Sequence, residues 1–190
     1  MNTRSSSRAN RPLDPRKLDV EALARDEASL QGEWPAADLP RLAEAAAPEA
    51  PAAAWPAVQW SVRGEMRTPR GGEAQIWVAL EAAAEVALTC QRCLRPVQEH
   101  VRFARWFHFV RDESLAAELD ADSDDEVLAL PRALDLQELV EDELLLDLPL
   151  VPRHETCPEA LPLVDDAPEF EAAAERPNPF AALAALKKKS

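Results

Sequence analysis

The stretch "VQWSVRGEM", Val58–Met66, alternates apolar and polar residues, the period of a strand with one buried face. "TPRGG" (Thr68–Gly72) follows as a turn signal of hairpin length, and a long, mostly apolar strand candidate runs from Ala74 to Thr89. A third candidate spans Val97–Val110. Strands joined by such short connections predict an antiparallel sheet at the centre of the chain, and the remaining segments are read around it. Before the sheet, the sequence suggests a short helix over Pro15–Ala24, a strand over Ser29–Trp34 and a second helix from about Asp38 to Ala47, with Asp38 as its cap. The Ala/Pro-rich run Ala45–Ala57 reads as a linker or loose connection. After the sheet, residues 111–126 are crowded with like charges and read as a disordered, solvated acidic loop, with Val127–Leu130 as one more short strand.

From Asp135, "DLQELVEDELLLDLP" places Leu136, Leu139, Val140 and Leu144 on one face of a helix. Asp135 can cap it, Glu138 falls at its third position, and Pro149 ends it. Glu138, Glu141 and Asp142 lie largely opposite the leucine stripe and read as a solvated face. The fold class is therefore α+β, a central antiparallel sheet with a few flanking helices. The expected divisions are a disordered tail over residues 1–12, a single domain over 13–157, and an extended acidic tail over 158–190 that ends in a short amphipathic helix.

The net charge of -14 falls on the back half: Met1–Val110 holds 14 Lys+Arg against 14 Asp+Glu, and Arg111–Ser190 holds 7 against 21. Such a chain suits a basic protein partner, and it suits nucleic acid only where one local face is basic. No run approaches the ~18 apolar residues of a membrane span, and Met1–Asn10 lacks the apolar core of a signal peptide. Three cysteines, an odd number, argue against a disulfide scaffold and for a reducing, cytoplasmic setting.

Those cysteines carry the clearest chemistry. Cys90 and Cys93 stand two residues apart after a strand and before Pro96, a turn that can point both sulfurs at one ion. His154 and Cys157 repeat the spacing in "RHETC". The four can close one tetrahedral structural zinc site of the Cys3His type, tying the sheet to the segment after the helix. Two unrelated polar turns with reduced thiols are the plainer reading. A thiol-disulfide or metal-transfer protein acting through Cys90 and Cys93 is the third, although no helix follows the pair to lower a thiol pKa. No phosphate-binding loop, nucleophile elbow or HExxH motif occurs, so the sequence speaks against an enzyme.

"HVRFARWFHFVR" (His100–Arg111) interleaves bases with aromatics, the composition of a stacking platform. As a strand, it puts Phe103, Arg105, Phe107 and Phe109 on a core face and Arg102, Ala104, Trp106 and His108 on a partly exposed one. Arg92, Arg95, Arg102 and Arg105 are the candidate RNA contacts. In the tail, Asn178 can cap a helix, Pro179 suits its first position, and Phe180, Leu183 and Leu186 form a narrow apolar seam for its own domain or for a partner groove.

Three blocks, "LTCQRCLRPV" (Leu88–Val97), "LVEDELLLDLPLVPRH" (Leu139–His154) and "RPNPFAALAALKKK" (Arg176–Lys189), resemble the signatures of the bacterial YceD family, the large ribosomal RNA subunit accumulation proteins. With a weaker match at "LDP" (Leu13–Pro15), the resemblance covers most of the chain. It implies a cytoplasmic, non-enzymatic protein needed for synthesis, processing or stability of large-subunit (23S) rRNA. Its partner would be a basic ribosomal protein, a processing factor or that rRNA, with no membrane and no DNA. Some members of the family have a longer cysteine-rich stretch after the helix, where this chain has only His154 and Cys157.

Overall fold

A computed structural model describes residues 13–158, apart from Asp122 and Asp124. The expected tails at residues 1–12 and 159–190, with Asn178, Pro179, Phe180, Leu183 and Leu186, lie outside the described residues. The elements in chain order are α1 (Val20–Arg25), β1 (Ser29–Trp34), α2 (Pro40–Glu44), β2 (Val58–Arg67), β3 (Gln75–Thr89), β4 (Pro96–Val110), α3 (Glu113–Asp120), β5 (Glu126–Ala129) and α4 (Leu136–Leu146). The strands form one sheet in the order β1-β2-β3-β4-β5. The fold is α+β, as the sequence predicts. The sheet is mixed, however, because β5 pairs parallel to β4.

That difference has a cause in the acidic segment. A parallel neighbour needs a crossover, and α3 supplies it from within residues 111–126, which the sequence reading had made a loop throughout. Asp112 starts α3 by accepting from Leu115 N at 2.9 Å, and Ala116 packs with Val110 and Val127 in a small satellite core. The charges fall on the outward side of this helix and hide its apolar side from a composition count.

The main core lies on the opposite face of the sheet, where Val58, Val62, Val78, Leu80, Val86 and Phe107 are nearly fully buried. Leu136, Val140 and Leu144 of α4 close over it, as the 3.6-residue period predicts. Asp135 caps α4 through bonds from Gln137 N (3.0 Å) and Glu138 N (3.2 Å). On the same face α1 crosses β2 at Gly64, where a Cβ atom would stand 2.5 Å from the backbone of Leu23 and Ala24, so only glycine permits the approach.

Three further expectations need correction. The helix expected over Pro15–Ala24 is broken into a 3-10 turn, Pro15–Lys17, and α1, because Leu18 leaves the helical path to exchange two backbone hydrogen bonds with Leu134. The Ala45–Ala57 run is no loose linker: Ala47 N donates to Ala87 O at 2.8 Å, and Ala47 and Ala52 are buried. Asp38 does not cap α2, which begins with Pro40 and has no local side-chain cap.

The cap comes instead from α4. Glu141 is 4 % exposed, and its carboxylate accepts from Arg41 N (2.7 Å), Leu42 N (3.1 Å) and Arg41 Nε (3.1 Å). Two bare N–H groups of the first turn of α2 are thus satisfied by a residue about a hundred positions away, and a carboxylate expected in solvent holds two helices together. Asp142 adds a second, exposed contact to the Arg41 guanidinium. Replacing Glu141 by Ala orphans both donors and is expected to cost about 2–4 kcal/mol, read from the denaturation midpoint; Glu141→Gln, which keeps one acceptor oxygen, is expected to lose less. Equal stability of Glu141→Ala and wild type would show that water replaces the cap at no cost.

Candidate metal centre

The β3–β4 hairpin ends in the turn that holds the first cysteine pair. Cys90 N donates to Arg95 O and Leu94 N to Cys90 O, both at 2.9 Å, folding the chain tightly around the two sulfurs. Leu94 pays for that tightness with a left-handed backbone at φ 59°, and its side chain is 71 % exposed. The segment after α4 returns to this tip, where Gln91 N donates to Pro152 O at 2.9 Å. His154 and Cys157 are thereby delivered opposite the hairpin cysteines.

The donor atoms of Cys90, Cys93, His154 and Cys157 all lie within 4.8 Å of one another. A four-coordinate zinc with bonds of about 2.3 Å to sulfur and 2.0 Å to nitrogen sets donor separations of about 3.5–3.8 Å. The Cys93 Sγ to His154 Nδ1 distance is 3.4 Å, close to that requirement. His154 Nε2 lies 3.0 Å from Pro96 O, and a carbonyl can only accept, so Nε2 carries the proton and Nδ1 presents its lone pair to the sulfurs. All three cysteines are free thiols. In donor type, spacing and tautomer the group fits a closed zinc site, and its four protein donors leave no coordination position for substrate.

The electrostatics are those of a thiolate nest. Burial opposes ionisation of Cys90, but backbone N–H groups of Cys93, His154 and Arg92 point at its sulfur and bring its pKa down to about 5. Cys93 receives the Arg95 N–H, which pulls it down, yet burial and the neighbouring Cys157 and Cys90 sulfurs leave it above the ordinary thiol value. A depressed thiol is also what a redox role requires. Cys90, however, is fully buried, and a reactive cysteine needs access.

The four candidate RNA-contact arginines have separate fates. Arg92 straps the metal group from outside, Nε donating to Cys157 Sγ (2.9 Å) and Nη2 to His154 O (2.9 Å) and Glu155 O (3.2 Å). Arg95 pairs with Glu49 at 3.5 Å. Arg105 turns to the core side, with Glu143 at 3.0 Å, Asp147 at 3.0 Å and Glu126 at 3.3 Å. Burial raises the Glu143 carboxyl above its usual value although Arg105 beside it pulls the other way, and the Glu143 contact is Coulombic rather than a well-aligned hydrogen bond. Arg102 alone of the four is exposed on the sheet's outer face. The strapping role of Arg92 had no sequence signal beyond its place inside the CxxC turn.

A family model described as "Large ribosomal RNA subunit accumulation protein YceD" matches residues 78–187, more than half of the chain. The match contains all four candidate ligands. No solved structure matches the chain.

Two outcomes test the centre. Purified chain is expected to carry about one zinc, and Cys90→Ser or Cys157→Ser to lose it together with stability, since removing a ligand removes metal-coupled folding energy; zinc assay by chelator release reads this, and full zinc in Cys157→Ser would contradict the Cys3His set. Zinc takes all three cysteines as thiolates, so its uptake releases protons and affinity rises with pH; the raised Cys93 thiol is one source of those protons. In the metal-free chain the depressed Cys90 value contributes stability that is full above about pH 9 and is lost as pH falls through about 5. Calorimetric titration in buffers of different ionisation enthalpy measures the released protons.

Proposed function

The chain belongs to the YceD family of large ribosomal RNA subunit accumulation proteins, and from that membership we propose that it is a non-enzymatic ribosome-biogenesis factor acting in the cytoplasm. It supports synthesis, processing or stability of 23S rRNA by holding a basic ribosomal protein, a processing factor or the rRNA itself. The observation that carries the reading is the family match across the hairpin, the metal group and the tail. A closed Cys3His group supports a structural rather than a catalytic use of zinc. The charge asymmetry supports a basic partner for the back half. No helix among the described residues is long and apolar enough to cross a membrane.

The tail is assigned the partner contact through Asn178, Pro179, Phe180, Leu183 and Leu186, whose sequence pattern suits a partner groove. A second reading, thiol-disulfide or metal-transfer chemistry at Cys90 and Cys93, draws on the low Cys90 value alone.

Removal of the gene is expected to lower large-subunit rRNA relative to small-subunit rRNA, with recovery on re-expression of the wild-type chain and weaker recovery with Phe180→Ala/Leu183→Ala. Quantified rRNA from growing cells measures it. An unchanged ratio would remove the biogenesis reading, and disulfide-linked clients trapped on Cys93 would favour the second one.

A further inference from the structure

The outer face of the sheet holds a cluster that the metal centre does not use, assembled from Trp106 and His108 within the matched residues and from Arg63, Arg67 and Trp77 before them. Register places Arg63, Ala79 and Trp106 in one row across β2, β3 and β4, with Glu65, Trp77 and His108 in the next. Trp77 and His108 stack at 4.7 Å with their planes 4° apart. The Arg67 guanidinium lies over both indoles, 4.4 Å from the Trp77 centroid and 4.0 Å from that of Trp106, while Arg63 stands over Trp106 at 5.4 Å. Ala79, between Arg63 and Trp106, is small enough to let the two side chains meet over it.

The same face is hollow beside the cluster. A depression of about 850 Å³ is floored by the small residues Ser61, Ala83 and Ala104 and bordered by Arg102. Arg102 lies four residues from Trp106 along β4, about 13 Å away. α3 covers the face only at its far end, through Val110 and Val127.

We propose that this face, built on Trp106, Arg63, Arg67 and Arg102, binds single-stranded RNA by base stacking and phosphate pairing. A nucleobase takes the place of the loosely held Arg63 over the half-buried Trp106 ring, and Arg63, once released, meets the phosphate. Arg67 is held against two indoles and by Glu65 at 2.9 Å, so it stays in place when Arg63 gives way. Trp77, only 8 % exposed, supports the platform rather than touching the ligand. The hollow is lined by the carboxylates of Glu33 and Glu81, and the Gln59 amide donates to Glu33 at 2.9 Å, so the hollow offers acceptors to base-edge N–H groups and repels phosphate, which places bases in the hollow and phosphates toward the arginines. The acidic charge of the chain does not forbid this, because the front half is balanced and the cations of this face are gathered around its aromatics. The inference rests on the ribosomal-RNA reading above and names the surface and ligand class for it.

The test uses the zinc-loaded full chain with fluorescein-labelled oligouridylate and oligoadenylate of about 12 nucleotides, followed by anisotropy. Trp106→Ala is expected to weaken binding about fivefold or more, and Arg63→Gln and Arg102→Gln each to weaken it and to lower the salt slope between about 50 and about 200 mM KCl by about 0.7. Arg25→Gln, on α1 at the other face, is expected to bind as wild type. Matching circular dichroism and zinc content separate lost binding from lost fold, and the exposed Arg63 and Arg102 keep the test decisive if Trp106→Ala unfolds. Absence of binding by wild type at the lower salt, equal losses in Arg25→Gln, or a face that captures a ribosomal protein and no RNA would overturn the proposal. Large-subunit rRNA that falls on gene removal while purified chain ignores RNA would sink this surface and leave the family role standing; Trp106-dependent binding with unchanged cellular rRNA would do the reverse.

Discussion

The pairing of β3 with β4 runs without a break from Ile76↔Phe109 to Thr89↔Pro96, and its register decides the use of every other side chain. A slip of one residue would exchange the two faces, sending Phe103 and Phe107 outward and Trp106 and His108 into the core. The same register sets the hairpin tip at Cys90 and Cys93, at the end of the sheet where the chain returns after α4. A metal at that tip would pin a segment about sixty residues away in sequence, so the sheet, α4 and the returning loop become one closed circuit.

Charge inside this circuit is placed by geometry rather than by composition. α4 carries acids all along its sequence, yet Glu141 and Glu143 are buried while Asp142 between them is only half-buried. Glu141 supplies the acceptor that the Pro-started α2 lacks, and Glu143 leans on Arg105, which reaches across from β4. Removing Arg105 would leave the buried Glu143 carboxyl without its cation, whereas Glu141 would keep its two backbone donors without the Arg41 side chain. The acidity of the back half is therefore partly internal, and less of it faces a partner than the formal count suggests.

Much of the fold was legible because its signals are local. β1 was read at Ser29–Trp34, the strands of the central hairpin end within a residue of their expected limits, and the Asp135 cap was identified from the residue itself. What escaped depends on residues far apart in sequence. Nothing near Glu141 announces that the donors of Arg41 and Leu42 will arrive beside it, and nothing in "RDESLAAELD" outweighs its charges until Val110 and Val127 offer Ala116 an apolar neighbour. The cysteine and histidine pairs were visible as two spacings, and their meeting needed the Gln91–Pro152 contact. The outer-face cluster was half visible: the alternation in β4 placed Trp106 and His108 together, while Arg63, Arg67 and Trp77 joined them only through register across three strands.

The four-residue centre is the joint on which this account turns, and zinc K-edge X-ray absorption of the full chain as purified tests it most directly. The account predicts four-coordinate zinc with three sulfur scatterers near about 2.3 Å and one imidazole nitrogen near about 2.0 Å. A spectrum of six oxygen or nitrogen neighbours, or a preparation without zinc whose hairpin tip is equally stable, would contradict it.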